Sequence, residues 1–366
     1  MTDTIHPTRT TPEQAAPDED ALMAFAGRAV SDAGATVATA LVVMGDRLGL
    51  YRDLAAHGPS TVAEVSERTG TPEPYVRDWI NAQAAGEYVT YDPPSGRYTL
   101  PPAQAAALTD PDCPVYVQGL FQTALGALHD TGAVVEAARN GAGFGWHEHQ
   151  TDVYEGTERF FRAGYLANLV DSWLPALDGV TAKLERGAAV ADVGCGYGAS
   201  TILMAQAFPA STFVGYDYHE ASVAAARERA LAAGVADRVR FTVAPADGFD
   251  GTDLDLVTMF DCLHDMGDPV GAARHVRESL ADDGTWMIVA PAAGDHPEEN
   301  HHPVGRSYYG FSTIVCTPSS LAQDVGLALG AQAGPARIGD VATAAGFSRF
   351  ATVAQTPFNN VFEVRP

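Results

Sequence analysis

The chain has 366 residues, 46% of them hydrophobic, enough for a substantial core and, by length, for two domains. The formal charge is −24 and Lys183 is the only lysine, which argues against nucleic acid or an anionic membrane as partner, since both need clustered cations. The four cysteines (Cys113, Cys195, Cys262, Cys316) lack metal-ligand spacing and read as reduced thiols. No metal is expected. The polar, acidic N-terminus lacks the apolar segment of a signal peptide, and no uncharged apolar run reaches membrane-spanning length, so the cytoplasm is the expected location.

Residues 1–19, rich in Thr, Pro and acids, read as a disordered tail. A helical pattern then runs to Ala56, with a break expected near Gly34. Thr61-Val62-Ala63-Glu64 is a capping box that opens a short helix ended by Gly70. Thr71-Pro72 opens the next, with Tyr75, Val76, Trp79 and Ile80 expected to face inward. Residues 88–91 and 97–100 flank the turn Asp92-Pro93-Pro94-Ser95-Gly96 as a β-hairpin. Helices followed by a hairpin make a winged-helix pattern. Its second short helix carries one cation, Arg77, among acids, so a scaffold or dimerisation role is expected rather than DNA binding.

A helix is expected over 114–139. Asn140-Gly141-Ala142-Gly143-Phe144-Gly145 reads as a joint, and the first domain is placed at 20–145. Residues 146–186 form a connecting segment that carries Trp146, His147 and His149 and a helix from about Glu155 to Trp173 with Phe160, Phe161 and Tyr165. From residue 187 to the end strands alternate with helices: strand 188–193, helix 199–207, strand 212–217, helix 220–233, strands 238–243 and 254–260, helix 269–281, strand 285–290. The expected fold is α/β, a Rossmann-like parallel sheet with an antiparallel C-terminal pair (347–353 and 361–364), behind a mostly helical winged-helix domain. The stretch 291–335 reads as a loop-rich lid.

The chemistry gathers at strand ends, where open α/β sheets bind ligands. Residues 190–200, VADVGCGYGAS, run from a buried strand through Gly194, Gly196 and Gly198 into a helix start. Glycines there allow positive φ and let a ligand lie against bare main chain. The next strand ends in Asp217-Tyr218, 19 residues beyond Gly198, where an acid can accept ribose hydroxyls. The third gives Asp247-Gly248, an acceptor for an exocyclic amine, and the fourth gives Asp261-Cys262-Leu263-His264-Asp265. Dinucleotides and S-adenosylmethionine both fit such a site. Its acids and lack of basic residues disfavour a pyrophosphate and favour an ammonium and a sulfonium.

DVGCGYG, Asp217, Asp247 and the Asp261 segment resemble the class I S-adenosylmethionine-dependent methyltransferases. After residue 20 the chain is similar to a bacterial, mycobacterial-type subgroup with an N-terminal winged-helix domain, through GDRLGLY at 45–51, GRYTLPP at 96–102, EGTERFFR at 155–162 and CLHDMGDPVGAARHVRESL at 262–280. The resemblance implies that Asp192, Gly194 and Gly196 hold the methionine part, Asp217 the ribose and Asp247 the adenine, with Gly198, Tyr218, Gly248, Asp261 and Tyr165 completing the cofactor site. S-adenosylhomocysteine is the implied product and a homodimer the implied assembly.

Leu263-His264-Asp265 resembles the L-H-D-W of small-molecule O-methyltransferases, which implies His264 as general base with Asp265 beside it. Met266 replaces that tryptophan, and Ala290-Pro291 stands where the subgroup has Glu-Pro. Trp146, His147, His149, Phe161, Arg162, His301, His302, Tyr308 and Tyr309 are expected to face the acceptor, a small apolar or aromatic molecule. A non-methylating reaction on the same cofactor is the alternative. A cofactor-sensing regulator is a third reading.

Overall fold

The computed structural model describes residues 18–366. Residues 1–17 of the expected tail lie outside this range, and the last two of that stretch are structured. Asp18 caps the first helix by accepting from the Ala21 N–H at 2.8 Å.

Helix α1 (Glu19–Arg47) runs unbroken across Gly34. The break falls instead at Gly49, whose φ of +71° is the left-handed conformation that Gly34 never needs to adopt. Then follow α2 (Leu50–His57), α3 (Val62–Thr69) and α4 (Glu73–Ala85). The Thr61–Glu64 capping box is formed in both directions. The buried stripe of α4 is Val76, Trp79, Ile80 and Gln83, at helical spacing; Tyr75 lies off that stripe and is 64% exposed, contrary to expectation. Gly45 lets α1 close on this stripe, since a Cβ there would meet Trp79 at 2.6 Å. Strands β1 (Thr90–Asp92) and β2 (Arg97–Thr99) form the wing, and α5 (Pro102–Thr109) follows.

The helix expected over 114–139 is two helices, α6 (Gln118–His129) and α7 (Thr131–Asn140). Asp130 separates them, and its buried carboxylate accepts from His149 Nδ1 at 2.9 Å and the Gln150 N–H at 3.1 Å. Helix α8 (Thr151–Asn168) packs against α6 and continues as one wider turn over Leu169–Trp173, then α9 (Leu174–Ala176) and α10 (Val180–Arg186).

The second half alternates in the order the sequence predicts: β3 (Ala189–Val193), α11 (Ala199–Ala207), β4 (Thr212–Asp217), α12 (Glu220–Ala232), β5 (Val239–Val243), β6 (Leu254–Phe260), α13 (Pro269–Ser279), β7 (Leu280–Pro291), the last starting five residues before the expected 285. The segment expected to be loop-rich is largely helical, with α14 (Pro303–Phe311), a wider turn at Ser312–Cys316 and α15 (Thr317–Leu321). After α16 (Gly334–Ala344), strands β8 (Arg349–Gln355) and β9 (Asn359–Arg365) close the chain.

The sheet order is β5-β4-β3-β6-β7-β9-β8. Neighbours from β5 to β7 are parallel, and β9 runs antiparallel to β7 and β8. The order turns back on itself between β3 and β6, which opens a crevice at their carboxyl ends. Apolar cores cover both faces, one around Trp173, Phe213 and Phe241, the other around Trp286, Phe249 and Phe362. The N-terminal helices carry a separate core around Trp79 and Tyr51. Among the described residues no single helix is long and apolar enough to cross a membrane.

Candidate active site

The crevice is a cleft of about 520 Å³ bounded by the β3–α11 turn, the ends of β4, β5 and β6, and helix α8. Gly194 and Gly196 line it with φ of +73° and +51°. A Cβ at Gly194 would strike Cys262 Sγ at 2.6 Å, whereas Gly196 faces open space. The Gly196 N–H donates to Asp217 Oδ2 at 2.9 Å and the His219 N–H to Oδ1 at 2.8 Å. Burial nonetheless raises the Asp217 carboxyl above its usual range, against the pull of those two N–H groups. Asp247 and Tyr218 lie along the same wall.

Among the described residues, seven carboxylic residues line the cleft (Glu158, Asp217, Asp247, Asp261, Asp265, Asp268, Asp324) and no Lys or Arg does. A phosphate has no cation to meet there, whereas an ammonium or sulfonium meets acids on several sides.

A second cavity of about 80 Å³ adjoins the first. Trp146, Thr157, Phe161, Asp261 and Asp265 line both. The remaining wall is mainly apolar, with Leu120, Phe160, Pro291, Phe311 and Val315. His264 is in this wall and buried. Its Nε2 lies 3.3 Å from Asp265 Oδ1, out of hydrogen-bond alignment, and its Nδ1 has no partner.

Residues 191–286 match the family described as a methyltransferase domain. The chain carries a methyltransferase domain. Residues 35–110 match the Rv2258c-like winged HTH domain. No curated protein sequence matches the chain. Among solved structures, the mitomycin 7-O-methyltransferase MmcR aligns with 18% identity over 95% of this chain and 100% of its own, with a TM-score of 0.68. Human N-acetylserotonin methyltransferase, in complex with SAM, aligns with 17% identity over 96% and 99%, with a TM-score of 0.67. PigF with SAH aligns with 17% identity over 93% and 99%, also at 0.67. At these identities the likeness is one of fold.

The cofactor of this methyltransferase domain is S-adenosylmethionine, and the cleft fits it: a bare glycine turn, a buried acid at the second strand end, and no fixed cation. Several expected site residues take other roles. Asp192 is 1% exposed and outside the cleft lining; it accepts from Ser200 Oγ at 2.7 Å, Thr201 Oγ1 at 2.6 Å and Thr258 Oγ1 at 2.9 Å, tying α11 to β6. Gly198 lies behind the turn, where a Cβ would hit Phe241 at 2.6 Å. Gly248 is outside the cleft lining. Tyr165 lines the cleft but spends its hydroxyl on Asp261 Oδ2 at 3.0 Å.

The expected acceptor residues divide likewise. Trp146 and Phe161 line both cavities, His147 the cofactor cleft and Tyr308 the second cavity. His149 is buried against Phe144 and held by Asp130, and burial lowers its tendency to protonate. Arg162 pairs with Asp112 at 3.3 Å, outside both cavities. His301 and His302 are exposed, and His302 Nδ1 caps α14 by accepting from the Gly305 N–H at 3.2 Å. Tyr309 points outward.

Tyr154, Tyr197, Cys262 and the segment 322–325 line the cofactor cleft without having been singled out. Tyr197 and Cys262 sit inside the motifs already quoted, so their positions offered a signal. The segment 322–325 offered none. Gln323 anchors it, donating to the Asp265 carbonyl at 2.9 Å and accepting from the Gly267 N–H at 3.2 Å.

Proposed function

We propose that the protein transfers the methyl group of S-adenosylmethionine to a small, apolar or aromatic acceptor held in the second cavity, with His264 taking the proton when the acceptor is a hydroxyl. The observation that carries this reading is the shared wall: one cleft suited to a cationic nucleoside opens beside an apolar cavity that contains an unpartnered histidine nitrogen. The cofactor supplies an electrophilic methyl carbon on sulfur. Transfer then depends on placing acceptor and methyl in line, and the aromatic walls formed by Phe160, Phe161 and Trp146 do that by shape. His264 Nδ1, which has no hydrogen-bond partner among the described residues, is the atom assigned to take the proton. Gly194, Gly196, Asp217 and Asp247 are assigned to the cofactor.

The working division is 20–145, 146–186 and 187–366, with the cytoplasm as location. Helix α1 leaves Leu22, Met23, Phe25, Val30 and Val37 exposed, and a second copy of the chain is the assigned cover, giving a homodimer.

A second reading keeps the cofactor but not the methyl transfer. It draws on the end of β7, where Ala290-Pro291 puts no carboxylate beside the acceptor cavity.

The experiment is a metabolite screen with the full chain and S-adenosylmethionine, read by mass spectrometry. A mass gain of one methyl group, with S-adenosylhomocysteine formed in equal amount, is the expected result. Acceptor turnover without S-adenosylhomocysteine would establish the second reading instead.

A further inference from the structure

Asp261 sits where the two cavities meet, at the end of β6. Its φ is +51°, a strained value for a residue with a side chain, so the backbone is held there by its surroundings. Its Oδ2 accepts from the Tyr165 hydroxyl at 3.0 Å, and the Asn359 amide donates to Oδ1 at 3.0 Å and to Oδ2 at 3.2 Å. Both partners are buried. They fix the carboxyl group without supplying any charge to balance it.

Tyrosine, cysteine, histidine, carboxyl and amide side chains surround it. Helix α8 brings Tyr165, and α14 brings Tyr308. The segment after β6 brings Cys262, His264 and Asp265, and β9 brings Asn359. Among the described residues, no Lys or Arg lines either cavity. The molecule therefore holds a buried carboxyl group with no counter-ion, beside a cleft read as the site of a cationic cofactor.

We propose that Asp261 is the residue that makes the cofactor cleft selective for charge, favouring the sulfonium of S-adenosylmethionine over the neutral thioether of S-adenosylhomocysteine. The proposal rests on the reading of that cleft as the S-adenosylmethionine site. Burial pushes the Asp261 carboxyl up to about 8, so the free protein at neutral pH holds it mostly as the acid. A cation in the cleft provides the missing charge. Binding then displaces the Asp261 proton to solvent.

Methyl transfer reverses this. The methyl carbon forms its bond to the acceptor oxygen, the C–S electron pair stays on sulfur, and the cation is gone. The hydroxyl proton, taken first by His264, equals the one Asp261 regains, so the buried site keeps its net charge through the reaction. The neutral product then faces an uncharged acid, for which it has no electrostatic hold.

The test is calorimetric titration of the full chain with S-adenosylmethionine and with S-adenosylhomocysteine, each in two buffers of different ionisation enthalpy near neutral pH. Wild type should release close to one proton with the first ligand and none with the second. Asp261→Asn should bind both, release none, and lose about tenfold or more of the preference for the cation. Tyr165→Phe keeps the carboxyl but removes one hydrogen bond that favours its ionised form. In that variant proton release should persist with its pH midpoint moved upward. Equal proton counts for the two ligands in wild type, or an unmoved midpoint in Tyr165→Phe, overturn the proposal. Failure of either ligand to bind wild type overturns the reading of the cleft instead.

Discussion

The backbone N–H of Gly196 donates to the Asp217 carboxylate across 2.9 Å, so the glycine turn after β3 and the acid at the end of β4 form one unit. Two glycines of that turn are constrained differently. At Gly194 an added methyl meets Cys262 Sγ at 2.6 Å in a left-handed backbone. At Gly196 it meets nothing, and only the backbone conformation costs, about 1–2 kcal/mol. Gly194→Ala should therefore lower the melting temperature more than Gly196→Ala. Gly196→Ala should weaken S-adenosylhomocysteine binding out of proportion to its effect on stability, because Gly196 lines the cleft and its Cβ would enter open space rather than packed protein. Melting curves and calorimetry on both variants check the contrast.

His264 should matter to turnover and not to cofactor binding. It lies in the wall of the second cavity only. For a hydroxyl acceptor, His264→Ala should lower kcat by about 10²–10⁴-fold, the usual range for a positioned base, with S-adenosylhomocysteine affinity unchanged. An equal loss of cofactor affinity would show that the histidine acts by packing.

The connecting helix α8 meets α6 at three glycines, Gly119 and Gly126 on α6 and Gly156 on α8. A Cβ on Gly119 would overlap the Gly156 carbonyl and the Phe160 N–H, both on the α8 backbone. Backbone cannot move aside as a side chain can, so Gly119→Ala should cost about 1–3 kcal/mol by overpacking. Because Thr157, Phe160 and Phe161 follow on the same helix, the variant should also lose acceptor turnover. Denaturant unfolding and turnover measured together test this.

Stability should fall as pH rises. Burial raises the carboxyls of Asp261, Asp217 and Asp192, so the native state binds more protons than the unfolded chain between the ordinary carboxylate range and the raised values. The slope of stability against pH is then negative, and for Asp261 it ends near pH 8, where the native carboxyl also ionises. Unfolding of the ligand-free protein across this window should show the decline, and Asp261→Asn should flatten it. A stability that increases with pH there would contradict the burial of these acids.

The second half of the chain was legible because its signals are local. Apolar runs, glycine turns and helix starts at Gly194–Ala199, Asp217–Glu220 and Asp268–Pro269 fix strands and helices within a residue or two. The winged helix was equally plain from Thr61, Pro72 and the Pro93–Gly96 turn. Roles were harder than places. Asp192 stands beside the glycine turn in sequence, yet the Ser200 and Thr201 hydroxyls at the start of α11 and the Thr258 hydroxyl of β6 claim it, and only packing decides that. His149 was drawn away in the same manner by Asp130 and His302 by its own helix start. The segment 291–335 has enough Gly, Pro and Ser to read as loop, but α14 and the wider turn after it form against the second cavity, a tertiary effect that no local pattern announces.

Titration of the full chain with S-adenosylhomocysteine, in wild type and in Asp217→Ala, addresses the cofactor cleft most directly. The expected result is saturable one-to-one binding by wild type that is lost in the variant at a temperature where its melting curve shows it still folded. No binding by wild type, or undiminished binding by Asp217→Ala, would contradict the assignment of this cleft to S-adenosylmethionine.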